Sequence, residues 1–363
     1  MNTALRKTGF LILLAASLFS CRKDKVVPEP ENITVVNGLF VLNEGAWGSN
    51  KSDLDFYDFS SGIYKRDVYK AANPEATLGL GDVGNDVKIY GSRLYIVVNG
   101  SNKLEVVNVK TAKRIGQVAI PNCRNIAFYK NKAYVTSFEG YVAVIDTAAL
   151  TVGAKINVGR EPEELAVVGE KLYVANSGGY SPLNYERTVS VINLATEAKV
   201  KDIDVAINLY RLKADSYGDL YVSSRGDYNG ISSNLYVIDT KTDAVKKKFD
   251  IPTGNFAIHK DIAYVYSAEW SNSAGGYTIT YNKINVKDET LLAGSFITDG
   301  TQASIMMPYG IAVDPVAEDI YITDAKDYAT PGRLYCYDKN GKRKFEVTTG
   351  DIPAGMVFYT KTN

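Results

Sequence analysis

One phrase recurs seven times in this sequence: an apolar triplet with an aromatic centre, followed by a polar loop. The copies are Leu39-Phe40-Val41, Leu94-Tyr95-Ile96, Ala133-Tyr134-Val135, Leu172-Tyr173-Val174, Leu220-Tyr221-Val222, Ala263-Tyr264-Val265 and Ile320-Tyr321-Ile322, about 40 to 57 residues apart. Most copies are followed by a run with apolar residues at every second position, such as Leu235-Tyr236-Val237-Ile238-Asp239, which is the period of a strand. A turn comes next, Asp239 to Asp243 or the Asn340-Gly341 hairpin dipeptide, and then a further strand such as Ala244 to Ile251. Each triplet is also preceded by a short apolar run, as in Glu164 to Val168, joined to it by a tight turn at Gly169-Glu170-Lys171. Four strands per unit of this length is the arithmetic of a β-propeller blade, so the chain is expected to be all-β with seven blades.

The two ends of the repeat array support a ring over an open solenoid. The first unit begins at its triplet and lacks a leading strand, while Gly355 to Tyr359 reads as a leading strand with no unit after it. The C-terminal strand is therefore expected to complete the first blade, which removes the exposed edges that a row of strands would leave. At strand spacing the aromatic centre of each triplet reads as packing between blades.

Residues 1–20 carry Arg6 and Lys7, an apolar run from Phe10 to Leu18, and then Phe19-Ser20 before Cys21. That is the order of a secretory signal, and its apolar run is about half of the roughly 20 residues that a membrane-spanning helix needs. The expected organisation is a signal peptide at 1–20, a tether at 21–37 containing Pro28 and Pro30, and the propeller at 38–363. Lysine and arginine together number 41, as do aspartate and glutamate, so no overall field favours nucleic acid. The 26 tyrosines and 30 glycines fit strands and turns better than helices. Two cysteines remain after Cys21, Cys123 and Cys336, and both read as buried free thiols.

In such a ring, the loops after the second strand of each blade and those leading into the first strand meet at one mouth, where function is expected. The loops after the triplets carry Trp47, Phe138, Tyr180, Arg225, Tyr228 and Trp270, and the span Ala268 to Gly276 reads as one of them. The lead-in loops include Pro121 to Asn125 with Arg124, Asn208 to Arg211, and Met307 to Gly310. Apolar rings in Gly-rich polar loops are costly unless covered, so Trp47, Arg124, Phe138, Tyr180, Arg225, Tyr228 and Trp270 are the candidate ligand-binding residues. No catalytic residue is expected. His259 is the one histidine and falls at the opposite end, which leaves no Ser-His-Asp arrangement and no zinc set of the usual kind. The acids Asp82, Asp86, Glu139, Glu163, Glu164, Glu269 and Asp324 are placed near the mouth, leaving calcium or a glycoside-hydrolysing pair formally open.

The phrasing "LYVANSG…VSVINLAT" from residue 172 resembles that of YncE-like, surface-layer-type seven-bladed propellers, over essentially residues 38–360. More narrowly, "GLFVLNEGAWGSN" at 38–50 and "LGDVGNDVKIYGSRLYIVVNGSNKLEVVN" at 80–108, behind Cys21, are similar to the BtuG lipoprotein propellers of Gram-negative gut commensals. Leu18-Phe19-Ser20-Cys21 likewise resembles a lipobox, implying lipidation at Cys21. The resemblance implies a lipid-anchored, surface-exposed outer-membrane protein that is no enzyme and has no catalytic cofactor. It would capture cobalamin (vitamin B12) or another corrinoid and pass it to a TonB-dependent outer-membrane transporter. A glycan- or peptide-binding accessory role in an outer-membrane uptake system is the alternative, and a metal-dependent propeller lactonase or lyase the least favoured.

Overall fold

A computed structural model describes residues 34–271 and 275–362. The expected signal peptide, Cys21 and most of the expected tether lie outside the described residues. The described residues form seven four-stranded antiparallel sheets, each with its strands in sequence order apart from the first. That first sheet places Pro353–Thr362 beside Thr34–Asn43, followed by Asp53–Asp58 and Ile63–Lys65. The C-terminal strand thus closes blade 1 as expected. Its pairing runs from Thr34 opposite Thr362 to Asn43 opposite Pro353, so the second strand of this blade already begins inside the span read as tether.

The inner strands of blades 2 to 7 are Gly84–Tyr90, Cys123–Tyr129, Pro162–Val168, Leu209–Ala214, Asn255–His259 and Pro308–Val313. Each packs against its two neighbours, and Pro353–Thr362 of blade 1 touches both Pro308–Val313 and Gly84–Tyr90, so the circle is complete. Among the described residues helix is confined to Val68–Ala72 and one short turn at Thr301–Ser304.

Apolar side chains pack between the blades. Seven hydrophobic clusters each join two adjacent blades, including one of Leu39, Val41, Tyr321, Leu334 and Cys336 across the junction of blades 7 and 1. All seven triplet aromatics are at most 9% exposed. In blades 2 to 5 the triplet tyrosine hydroxyl also reaches an outer hairpin of the next blade, as Tyr95 does to the Thr147 carbonyl at 3.3 Å, Tyr134 to Glu197 at 3.5 Å, Tyr173 to Asp243 at 2.6 Å and Tyr221 to the Val286 carbonyl at 3.3 Å. Tyrosine at this position fills the interface and ties its rim. Cys123 and Cys336 are free and buried, and burial pushes both thiols up to about 12.

The outer hairpins have a shared device. Asp58, Asn108, Asp146, Asn193, Asp239, Asn285 and Asp338, one per blade, accept backbone N–H bonds from the residues two to four positions on. This side-chain capping of its own turn explains why the sequence places Asp or Asn at the end of the third strand each time.

Candidate functional site

The inner strands do not enter the channel smoothly. In blades 2, 3, 4, 5 and 7 the register against the second strand shifts just after the inner strand begins, between Gly84 and Asp86, Cys123 and Ile126, Pro162 and Leu165, Leu209 and Leu212, and Pro308 and Ile311. A bulge adds one residue, bends the strand and re-aims side chains. The residues within these bulges are Asn85, Arg124, Asn125, Glu163, Glu164, Tyr210, Arg211, Tyr309 and Gly310, which concentrate the polar chemistry at one mouth of the channel. Just before several bulges the backbone adopts the left-handed region at non-glycine residues, including the β-branched Val83 (φ 55°) and Ile352 (φ 56°). Such conformations cost energy for branched side chains and persist only where packing imposes them.

A pocket of about 740 Å³ opens at this mouth over blades 5, 6 and 7. Its lining holds Tyr210, Tyr228, Tyr266, Tyr277, Tyr309, Tyr328 and Trp270, together with Arg211, Arg225 and Glu269. One wall is a hairpin longer than its counterparts. The span Ala268–Gly276, expected as a loop, in part continues the ladder: Ile262–Ser271 pairs with Gly276–Asn285, setting Ala268 opposite Ile279 and Trp270 opposite Tyr277. Ala268, Glu269 and Trp270 face the β-branched or aromatic Ile279, Thr278 and Tyr277, which suits an extended strand, and Gly275 sits at its turn. The Trp270 and Tyr277 rings meet edge to face at 5.4 Å, and Tyr309 and Tyr328 do so at 5.8 Å across the pocket's third blade.

Charge threads the floor. Glu163 accepts from Arg124 at 3.0 Å and from Arg225 at 2.6 Å, while Arg124 also donates to Asn85 at 3.1 Å. Burial disfavours the Glu163 carboxylate, but the Arg124 and Arg225 guanidiniums overcome it and hold the group below the usual carboxylate range. Both Arg211 and Arg225 place their guanidinium carbons 4.1 Å from the centre of the Tyr210 ring. Glu164 accepts from Lys213 at 2.8 Å and from the Leu212 amide at 3.0 Å. Burial opposes its charge too, yet Lys213, Arg211 and Lys88 bring it down to about 2. Glu44 is the exception: burial raises it to about 7, even though Tyr309 donates to it at 2.9 Å.

The expected site residues fall into three groups. Arg225, Tyr228 and Trp270 line the pocket together. Arg124, Phe138 and Tyr180 form an adjoining chain, with Arg124 4.5 Å over the Phe138 ring and Phe138 edge to face with Tyr180 at 5.2 Å, joined to the pocket through Glu163. Trp47 is 69% exposed on its own loop and does not line the pocket, because that loop is anchored away from it by Asp82, which accepts from the Gly48 and Asn50 amides. The other acids placed near the mouth are engaged locally: Asp86 accepts from the Ile126 amide and Lys88, Glu139 from Asn122, Glu269 from Ser233, and Asp324 from the Met306 and Met307 amides. Among the described residues no group of three or more His, Cys, Asp or Glu converges as a metal site would require.

A family described as a domain of unknown function, DUF5074, matches residues 37–359, which is the whole propeller bar its outermost residues. The chain belongs to the DUF5074 family. No curated protein matches it. Among solved structures, this DUF5074 propeller is similar to a quinoprotein alcohol dehydrogenase-like protein from Bacteroides thetaiotaomicron, at 17% identity and a TM-score of 0.66, with 90% of this chain and 79% of that one covered. It is also similar to the hydrazine synthase of Kuenenia stuttgartiensis, at 17% identity and a TM-score of 0.64, covering 77% and 95% of the two chains. A computationally designed protein, Ika8, matches at 12% identity and a TM-score of 0.57, over 89% and 92%. At these identities the likeness shows the propeller fold alone. What distinguishes the DUF5074 chain is therefore its own mouth, where five pocket tyrosines, Tyr210, Tyr266, Tyr277, Tyr309 and Tyr328, are not among the residues expected from the sequence, and neither is Glu44, the partner of Tyr309.

Proposed function

We propose that this DUF5074 protein is a ligand-capture module, without catalysis of its own, that binds a small amphipathic molecule in the tyrosine-lined pocket. The carrying observation is the pocket lining itself, in which one tryptophan, six tyrosines and two arginines surround about 740 Å³. Flat aromatic faces beside guanidinium, amide and hydroxyl donors suit a ligand with apolar faces and a polar fringe. A corrinoid such as cobalamin has that character, and we propose it as the ligand, with a lipid anchor at Cys21 holding the propeller on the outer membrane for delivery to a TonB-dependent transporter. Support for the delivery step comes from the rim, where Trp47, Leu78, Tyr180, Leu183, Tyr228 and Met306 are all more than half exposed on loops of several blades. Exposed apolar groups ringing one face are the surface a docking partner would cover.

The test is direct because cobalamin is coloured. Co-migration of its absorbance with the protein on gel filtration at micromolar concentrations is expected, and its absence would end the corrinoid reading. Trp270→Ala and Tyr228→Ala should each weaken binding with an unchanged Tm. The second reading, a glycan or peptide ligand, is favoured by the exposed Trp270–Tyr277 pair on an extended hairpin, a platform on which a sugar ring can stack. Binding on a glycan array with no cobalamin uptake would select it.

A further inference from the structure

The two arginines of the pocket are not equivalent. Arg225 is committed to Glu163 at 2.6 Å. Arg211 shares the Tyr210 ring with it, and the Nε of each is buried without a partner, but Arg211 makes no side-chain hydrogen bond or ion pair at all with any described residue. The nearby acids are already engaged. Glu163 is divided between Arg124 and Arg225, Glu164 is held by Lys213, and Glu44 accepts from Tyr309, with burial raising it to about 7. The single carboxylate in the pocket lining, Glu269, accepts from the Ser233 amide and hydroxyl. A guanidinium has five donors and no acceptor, and leaving them unmet in a partly closed pocket is costly. With 41 basic and 41 acidic residues in the chain, this local excess of positive charge is a property of the pocket and not of the protein.

We propose that Arg211 forms an oxyanion subsite in the pocket floor, so that the ligand carries a carboxylate or phosphate group as well as a flat apolar part. The anion meets the planar fork of Arg211, and the apolar part lies against Tyr228, Trp270 and Tyr277 toward the rim. A planar, weakly hydrated guanidinium already stacked on Tyr210 is held ready for a bidentate acceptor. This inference rests on the pocket being the ligand site.

The experiment uses the full chain and three probes, phenyl phosphate, benzoate and benzyl alcohol, followed by tryptophan fluorescence. Phenyl phosphate and benzoate should bind about tenfold more tightly than benzyl alcohol, and their ratio tells a phosphate from a carboxylate preference. Arg211→Gln should remove the advantage of both anions and leave benzyl alcohol binding unaltered. In the unmutated protein, added sodium chloride should weaken the two anions and spare the alcohol. Equal binding of all three probes, or an anion preference that survives in Arg211→Gln, overturns the subsite while the pocket reading stands. If none of the three binds, the subsite falls, while the pocket reading is decided separately by the cobalamin experiment.

Discussion

Asn43 shows how much a single side chain can organise. Its amide nitrogen donates to both Asp53 and Asp55, two carboxylates of one strand brought together beside the chain closure, where Asp55 also accepts from Tyr64 at 2.8 Å and from the Gly350 amide at 3.2 Å. Burial, and then the charge of Asp55, raise Asp53 to about 7, and burial raises Glu44 to the same region. Each of these acids binds its proton more tightly folded than unfolded. Their protonated forms therefore favour the native state, and stability falls as pH rises from about 4 to about 7, then levels. Glu164 works in the other sense: held at about 2, it contributes stability that is lost as pH falls below about 4. Thermal melts should peak between about pH 4 and about pH 5, decline to about pH 7 and then level, and Asp53→Asn with Glu44→Gln should flatten that decline. A melting temperature that climbs from pH 5 to pH 8 would refute this assignment. Glu163 makes a separate prediction. It is 1% exposed and neutralises two arginines, so Glu163→Gln leaves uncompensated buried charge and should destabilise by about 3 kcal/mol in denaturant melts.

At the scale of the element, the strands were legible and the bulges were not. Alternation in Leu235 to Asp239 or Val189 to Asn193 gives the face of each strand directly, since the pleat has a period of two. A bulge breaks that period by one residue, so the side chains it turns into the channel, Tyr210, Arg211 and Tyr309, lie where a regular strand would put them elsewhere. The lead-in loops meet the loops after the triplets at one mouth and contain these residues, but which of them point inward is decided by the register shift. Tyr266 was hidden for a different reason. It stands two positions after the triplet centre Tyr264 on the same strand, so it reads as more interface packing, whereas opposite Asn255, where the inner strand begins, it also lines the pocket. Trp47 does not join the others at the pocket, because exposure of an aromatic in a loop does not say where the loop is tied. The capped outer hairpins offer an element-level test. Asn193→Ala removes the acceptor for the Ala195 and Thr196 amides and should cost about 1 kcal/mol with ligand binding intact, since this turn lies at the end of the blade away from the pocket.

The whole molecule depends on one strand from the far end of the chain. Pro353–Thr362 lends Met356 and Phe358 to the interface of blades 7 and 1, and Val357 and Tyr359 to that of blades 1 and 2, so a single segment serves two of the seven apolar interfaces. It also covers the edge of Thr34–Asn43, which would otherwise present unpaired backbone. The closure reaches the pocket as well. The Glu44 and Gly45 amides donate to the Ile352 and Asp351 carbonyls, and the Glu44 carboxylate receives the Tyr309 hydroxyl from the pocket lining, which links the last strand to the site through two hydrogen-bonded steps. Deleting residues 351–363 should therefore unfold or aggregate the protein. Removing 361–363 should be nearly neutral, because Lys361 is exposed beyond the last residue given to the two interfaces. A chain cut at residue 350 that kept the native melting temperature and remained monomeric would show that six and three-quarter blades suffice, and the ring would then be an arrangement the fold tolerates and not the one that holds it.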